Sequence, residues 1–202
     1  MYCGNEFNFN EKLDILDFNK AQQPPRLDKP IQTMSYINGF PAIAAADARI
    51  LILGSIPGKA SLHAEQYYAH PRNQFWPIIC QVLMVDSNCP YPSRIQALTE
   101  AGIALWDVVK YCYRPSSLDT DINKQSIITN DFVNFFLEQP LITHVFFNGS
   151  TAEQTFRKHV QPSIPPGKLT YRRLPSTSPA HAAMSFQDKF SEWQILTSLI
   201  NR

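Results

Sequence analysis

Residues 51–77 read LILGSIPGKASLHAEQYYAHPRNQFWP, and this stretch decides the fold and locates a candidate site. It begins with a run of apolar residues, which is typical of a strand buried on both faces of a parallel sheet. A Gly/Pro turn follows, and ten residues then hold six aromatic or polar side chains: Tyr67, Tyr68, His70, Asn73, Phe75 and Trp76. Because α/β sheets bind ligands beyond the carboxyl ends of their strands, we expect a binding site directly after this strand.

The rest of the chain alternates between strand and helix patterns. The apolar runs predict strands at 49–53, 103–106, 144–147 and 171–174. Periodicity and caps predict helices at 74–84, 93–101, 131–139, 151–160 and 185–200, with Ser93 as an N-cap and Gly102 as a C-terminal stop. This alternation predicts a parallel sheet with helices on both faces.

Composition indicates a single globular domain. Of the 202 residues 44% are apolar and 17% are charged, which suits one domain with a substantial core. We expect residues 1–36 to form a poorly structured arm or a short helix, because prolines punctuate them, and residues 37–202 to form the domain. No apolar run is long enough for a membrane span and no signal peptide is visible, so we expect a cytoplasmic protein.

Charge and cysteine spacing narrow the function classes. A net charge of +1 argues against bulk coating of nucleic acid and leaves room for an enzyme that grips a few phosphates. The four cysteines are scattered without a C-x-x-C pair, so we expect neither a metal nor an iron–sulfur site. The turn from Gly54 to Lys59 is not a phosphate-binding loop, because three residues separate its glycines and Ala60 follows the lysine.

Four segments together resemble the uracil-DNA glycosylase superfamily, and most nearly its hypoxanthine-DNA (deoxyinosine) branch. They are the opening stretch with its His-Pro-x-Asn-x-Phe-Trp run, then GIALWD at 102–107, FNGS at 147–150 and LPSTSPAH at 174–181. The resemblance covers about residues 38–200. It implies a three-layer α/β/α sandwich around a four-stranded parallel sheet, a monomeric enzyme acting on damaged DNA, and no metal or cofactor.

The resemblance also implies roles for residues of a base pocket. Ser55, Ile56 and Pro57 would lie beside the target base and sugar, although many relatives carry Asp or Asn where this chain has Ile56. The water-orienting role then passes to Asn73, whose carbonyl can accept a hydrogen bond from water; Asn73 is equally suited to cap the following helix. Tyr68 would stack on the extruded base, unless it is an ordinary packing residue.

Two further residues complete the implied pocket. Asp107, as a carboxylate, would accept a hydrogen bond from N1–H of hypoxanthine, and uracil offers a similar N–H. An Asp bonded to loop amides is the plain alternative. Ser176 falls where some relatives carry a catalytic His or Asn, and we expect it to help stabilise the departing base.

The last group of candidates would contact DNA. Gly149 and Ser150 open a helix whose free N–H groups suit a phosphate, while a side-chain cap at Ser150 or Thr151 is the alternative. The loop carrying Ser178, Ala180 and His181 resembles the one that enters the duplex. Ala180 replaces a bulkier wedge and His181 replaces an Asn, which places the minor-groove contact in question.

The sequence thus predicts a monofunctional DNA glycosylase that flips a deaminated base, hypoxanthine above all, and hydrolyses its N-glycosidic bond. Three alternatives stay open: a uracil or mismatched-pyrimidine glycosylase, a non-catalytic DNA-binding or protein-interaction module of the same fold, and a nucleotide-binding α/β enzyme.

Overall fold

The structure is a computed structural model that describes residues 35–167 and 169–200. The predicted N-terminal arm lies outside these residues except for its last two positions, and Tyr36 already belongs to the first strand. The strands are β1 (Tyr36–Asn38), β2 (Ile50–Gly54), β3 (Ile103–Asp107), β4 (Val109–Tyr113), β5 (Ile128–Thr129), β6 (His144–Asn148) and β7 (Thr170–Leu174). The α-helices are α1 (Lys59–Ala64), α2 (Phe75–Val82), α3 (Tyr91–Glu100), α4 (Phe132–Glu138), α5 (Ser150–His159), α6 (Phe186–Trp193) and α7 (Thr197–Ile200).

The central sheet has four parallel strands in the order β3-β2-β6-β7, as the sequence predicts. All side chains of β2 are buried, because the strand lies in the middle of the sheet with helices over both faces. Ile50 and Ile52 pack toward α2, α3 and α6, whereas Leu51 and Leu53 pack toward α4 and α5. The predicted three-layer α/β/α sandwich is therefore confirmed.

A second, antiparallel sheet was not predicted. It has the order β1-β4-β5, and β4 follows β3 after the single residue Val108. Its small apolar core contains Ile37, Cys112 and Ile56, the last of which comes from the turn after β2. The second sheet is thus joined to the carboxyl end of the first, where the candidate site was expected.

The helix predictions hold with three corrections. Helix α3 begins at Tyr91 after Pro90, so the prediction of Ser93 as its N-cap is wrong: the fixed φ of proline suits the start of a helix. The predicted single helix at 185–200 is divided by a 3₁₀ turn between α6 and α7. Helix α1 was not predicted at all. Among the described residues, none of the helices has the length and apolar character needed to cross a bilayer.

Candidate active site

A cavity of about 780 Å³ opens at the carboxyl ends of the parallel strands. The turn after β2, the end of β3, the loop after β4, the junction of β6 with α5 and the loop after β7 all contribute to its lining. Every site residue predicted from the sequence lies in this lining: Ser55, Ile56, Pro57, Tyr68, Asn73, Asp107, Gly149, Ser150, Ser176, Ser178, Ala180 and His181. The fold thus brings together residues that are up to 126 positions apart in the sequence.

Gly54, Tyr68 and Asp107 form what we call the cavity floor. A Cβ atom at Gly54 would clash with Asp107 Oδ1 and would lie 2.8 Å from the Tyr68 hydroxyl, so both polar groups converge over the glycine. Among the described residues, neither Asp107 Oδ2 nor the Tyr68 hydroxyl finds a hydrogen-bond partner. Buried polar groups are normally paired, so two almost inaccessible polar atoms without a partner are an unusual feature of the floor.

Burial decides the protonation state of Asp107. Its side chain is 3% exposed, and desolvation, followed by repulsion from Asp119, raises its pKa to about 8, while Arg114 opposes the shift. At neutral pH the group is therefore largely a neutral carboxylic acid, which donates one hydrogen bond and accepts others. From the sequence, Asp107 is expected to be a carboxylate that only accepts hydrogen bonds. Burial, which the sequence does not display at this position, changes its chemistry.

Tyr68 is held in an unusual conformation beside Asp107. Its φ of 56° is left-handed, which costs a bulky L residue free energy and tends to be kept at functional sites. Its ring stacks on Phe75 with centroids 4.0 Å apart and planes 25° apart. Burial and then the Asp107 charge raise the pKa of the hydroxyl, although the nearby Asn148 amide opposes this. The phenol therefore stays protonated, and Phe75 supports one face of its ring.

Asn73 lies at the cavity edge, two residues before helix α2 begins. Its side-chain carbonyl accepts a hydrogen bond from the Phe75 N–H at 2.9 Å, but the N-cap of α2 is Gln74, which makes no side-chain cap hydrogen bond. Asn73 therefore forms a local turn just ahead of the helix, and the alternative that it is the N-cap is wrong. A carbonyl oxygen has two lone pairs, so one remains for a water molecule in the cavity.

Ser55, Arg114 and Asp119 lie together on one side of the site, and we call this group the charged wall. Of the three, only Ser55 was predicted from the sequence. The Ser55 hydroxyl donates to both carboxylate oxygens of Asp119, at 2.8 and 2.9 Å. The guanidinium of Arg114 lies 3.7 Å from the same carboxylate. Arg114 is 1% exposed and also donates to the carbonyl oxygens of Ser116 and Pro57, so it fixes the turn after β2 against the loop after β4.

The turn residues Ile56 and Pro57 contribute differently from the prediction. The Ile56 side chain is buried in the core of the antiparallel sheet, and the Pro57 carbonyl is taken up by Arg114. Both residues line the cavity, but the side chain of Ile56 packs away into protein. What the turn offers a ligand is therefore its backbone and the Ser55 hydroxyl.

Another part of the cavity lining is formed where β6 meets α5, and the Thr151 hydroxyl there donates to the carboxylate of Asp119. Gly149 has a φ of 95° and a Cβ there would lie 2.8 Å from Ser176 Cβ, so a side chain is excluded at this contact. Gly149 is also the N-cap, and no side chain caps α5, which differs from the alternative of a Ser150 or Thr151 cap. Next to it, the Asn148 amide forms two hydrogen bonds with Thr177, at 2.8 and 2.9 Å.

The loop after β7 is ordered by local hydrogen bonds. The Ser176 hydroxyl oxygen accepts from the Ser178 N–H at 3.3 Å, and the Ser178 oxygen accepts from the Ala180 N–H at 3.2 Å. The buried ammonium of Lys189 donates to the His181 carbonyl at 2.8 Å. Since the Ser176 oxygen acts as an acceptor within the loop, its own O–H stays available to the cavity.

Comparison with known proteins now identifies the family. Residues 40–197 match the model of the Uracil DNA glycosylase superfamily. The chain belongs to this superfamily. It is 38% identical over 112 residues to a protein named hypoxanthine DNA glycosylase from Methanosarcina barkeri, covering 55% of this chain and 70% of that protein. It is 32% identical over 157 residues to a protein of the same name from Methanosarcina acetivorans, covering 77% of this chain and 94% of that one.

A solved structure supports the same family. The solution NMR structure of a candidate uracil DNA glycosylase from Methanosarcina acetivorans superposes with a TM-score of 0.70 at 29% identity. The match covers 83% of this chain and 99% of that one. The central sheet is therefore that of the superfamily fold, and the cavity lies at the carboxyl ends of its strands.

Arg114 and Asp119 were absent from the sequence analysis for a clear reason. Asp119 lies in a Ser/Thr-rich loop, SSLDT at 116–120, whose local pattern indicates nothing beyond a turn. It reaches Ser55 across 64 positions. The one available signal was the arginine between the end of β4 and Pro115, because an arginine needs a partner when it is buried.

Proposed function

We propose that this protein is a monofunctional DNA glycosylase that extrudes a deaminated base from DNA and hydrolyses its N-glycosidic bond, with hypoxanthine as the preferred base. The observation that carries the proposal is the single cavity in which Asn73, Tyr68 and Asp107 meet at the sheet edge. Superfamily membership and two relatives named for hypoxanthine support it.

The floor suits a flat base that carries a cyclic amide. The Tyr68 ring, backed by Phe75, offers a stacking surface that repays part of the cost of unstacking the base. A neutral Asp107 donates to a carbonyl oxygen and accepts from the adjacent N–H. Hypoxanthine presents this pair as O6 and N1–H. Adenine presents the opposite pattern, with an amino donor and a bare N1, and a neutral carboxyl can match it by exchanging its donor and acceptor oxygens. The preference for hypoxanthine over adenine is therefore supported by the two relatives named for it.

Bond cleavage then depends on positioning and charge stabilisation. The free lone pair of Asn73 would orient a water toward C1′ of the sugar. The base leaves with negative charge, which the free O–H of Ser176 and backbone N–H groups would stabilise. No Lys lines the cavity near the floor; Lys59 alone among the described lysines reaches the lining, at its exposed rim, so we expect hydrolysis without strand cleavage.

DNA contacts fall to two elements that flank the cavity. The uncapped start of α5 at Gly149 and Ser150 offers N–H groups to a phosphate. The loop carrying Ser178, Ala180 and His181, fixed from behind by Lys189, would face the duplex. Because Ala180 is small, the loop would contribute little wedging, and extrusion would rely on base stacking against Tyr68.

The test is base release from duplexes that each carry one hypoxanthine, uracil, xanthine or T·G site, scored as abasic sites. We expect hypoxanthine to be released fastest. Faster release of uracil would favour the pyrimidine alternative, which the shared cyclic-amide edge makes the second candidate. Absence of release from every duplex, with damaged-DNA binding intact, would favour a non-catalytic module.

Two variants separate the two roles of Asn73. Asn73→Ala removes both the acceptor of the Phe75 N–H and the water acceptor, whereas Asn73→Ser keeps a side-chain oxygen that can accept this N–H and loses the reach toward water. We expect both to slow release by about 100-fold or more, with a lower Tm in the Ala variant alone. Asn88→Ala, at an exposed position outside the cavity, is the matched control. Undiminished release by Asn73→Ser would assign the water to another residue.

A further inference from the structure

The surroundings of Asp119 differ from those of Asp107, the other acidic residue of the described cavity lining. Its carboxylate receives the Ser55 hydroxyl at 2.8 and 2.9 Å and faces the Arg114 cation at 3.7 Å. A hydroxyl donor and a nearby cation both favour the ionised form of a carboxyl group. Its side chain is 38% exposed and lines the cavity, so a ligand or a water can reach it.

The hydrogen-bond capacity of the Asp119 carboxylate also suits contact with a water molecule. An ionised carboxylate has about four lone-pair sites. The Ser55 hydroxyl occupies the region between the two oxygens and the Thr151 hydroxyl is a second donor, so sites remain for a water molecule. The Asn73 carbonyl, in contrast, already accepts the Phe75 N–H and is an amide with almost no basicity. Water that attacks a sugar carbon must lose a proton, and an amide is a poor acceptor for it.

We propose that Asp119 is a further catalytic residue of the glycosylase reaction, where it accepts the proton of the attacking water and stabilises the positive charge of the sugar. This rests on the proposed function. The water oxygen forms a bond to C1′, and the C1′–base bond breaks with its electron pair going to the base. One water proton passes to Asp119 and then to solvent or to the departing base, which restores the carboxylate. Asn73 orients the water and Asp119 takes its proton.

The charged and titratable groups around Asp119 set the pH dependence. Arg114, which is not in the cavity lining, and Asp107 interact with it electrostatically. The other ionisable residues of the cavity lining are Lys59, Tyr67, Tyr68, His70, Arg72 and His181. Burial raises the pKa of Asp119, while the Ser55 hydroxyl and then Arg114 oppose the shift. Since the ionised form is the active one, the rate should rise with pH as Asp119 loses its proton.

The experiment is single-turnover release of hypoxanthine from duplex DNA between about pH 4 and 7, preceded by the wild-type assay. We expect Asp119→Asn to slow release by about 100-fold, to lose the acidic limb of the profile and to bind the duplex as the wild type does. Asp121→Asn, in the same short 3₁₀ turn but exposed and outside the cavity, should behave as wild type. In Asp119→Ala, added formate should restore part of the rate, because it supplies a carboxylate to the vacated space.

The outcomes separate the two proposals. A wild type that releases no base overturns the proposed function. A wild type that releases hypoxanthine while Asp119→Asn matches it at every pH overturns the role of Asp119. Ser55→Ala tests whether the role of Asp119 is only structural. A structural role predicts that Ser55→Ala and Asp119→Asn reduce the rate by the same factor, that both keep the acidic limb of the pH profile, and that formate has no effect. That result would mean that Asp119 only holds the turn, and the proposal would be wrong.

Discussion

The two carboxyl groups of the cavity lie in opposite environments. Asp107, on the floor, is 3% exposed, its Oδ2 has no partner among the described residues, and its pKa is raised to about 8. Asp119, on the charged wall, has a hydroxyl donor and a cation, which oppose the rise in its pKa that burial causes. Two side chains of one type thus meet different partners, and the charge of Asp119 raises the pKa of Asp107 further. The floor is suited to hydrogen bonding with a base, and the charged wall to accepting a proton and stabilising positive charge.

The largest effect should come from removing the cation of the wall. Arg114→Met leaves the Asp119 carboxylate and the carbonyls of Ser116 and Pro57 without their buried donor, and we expect a loss of about 3–4 kcal/mol in the free energy of unfolding. Urea denaturation would measure it. The exposed Arg72 is the matched control, and Arg72→Met should change stability by less than about 0.5 kcal/mol. Equal losses of unfolding free energy in the two variants would mean that Arg114 does not stabilise the charged wall.

The next effect concerns the floor and follows from linkage. The pKa of Asp107 in the folded protein, about 8, lies above its ordinary value of 3.8, so folding takes up a proton. The resulting contribution to stability is full below about pH 4 and is lost as the pH rises through 8. Between pH 5 and 8 this loss is of the order of 3 kcal/mol. Asp107→Asn should flatten this decline.

Thermal unfolding of the wild type and of Asp107→Asn across this range would measure the difference. Asp47→Asn, at an exposed surface position, should keep the wild-type slope. The activity profile gives a second reading: release by the wild type should fall as Asp107 ionises near pH 8, and the Asn variant should lack that fall. Parallel wild-type and Asn stability curves would show that Asp107 is already ionised, and the contrast with Asp119 would disappear.

Gly54→Ala tests whether the floor tolerates any added atom. The new Cβ would clash with Asp107 Oδ1 and crowd the Tyr68 hydroxyl, so both base-reading groups must shift. We expect base release to slow by about 100-fold, since displacements near 1 Å at a catalytic site have effects of this size. Gly58→Ala in the same turn, where the nearest atom to a new Cβ is 3.9 Å away, is the matched control. Equal rates for the two variants would place base reading elsewhere.

The smallest effect should come from the unpaired phenol. Tyr68→Phe removes a buried hydroxyl that has no hydrogen-bond partner in the part of the chain that the structure describes and keeps the ring stacked on Phe75. We expect stability to stay constant or to rise by up to about 1 kcal/mol, while KM for the hypoxanthine duplex rises by up to about tenfold. Tyr67 donates to the Pro41 carbonyl at 3.1 Å, so Tyr67→Phe should lose stability instead. Loss of stability in both variants would show that the Tyr68 hydroxyl is satisfied.

The local pattern of apolar residues was enough to predict the strands of the parallel sheet. The runs that became β2 and β6 are continuous and apolar because both faces of those strands are covered, and such runs are visible without coordinates. The dense cluster after β2 placed Tyr68 and Asn73 in the site, as the cavity lining shows. The antiparallel sheet escaped prediction because β1 pairs with β4 over about 75 positions, Tyr36 lying opposite Tyr113, and short strands carry weak periodicity.

The sequence by itself determined the strand–helix order, the edge at which ligands bind and the residue types gathered there, because these follow from nearest-neighbour patterning of apolar and polar side chains. Tertiary structure alone decided that the pKa of Asp107 is raised to about 8, and that Ser55 meets Asp119 and Arg114. Those outcomes depend on desolvation and on contacts between distant segments. Neither quantity is a property of any one stretch of the chain.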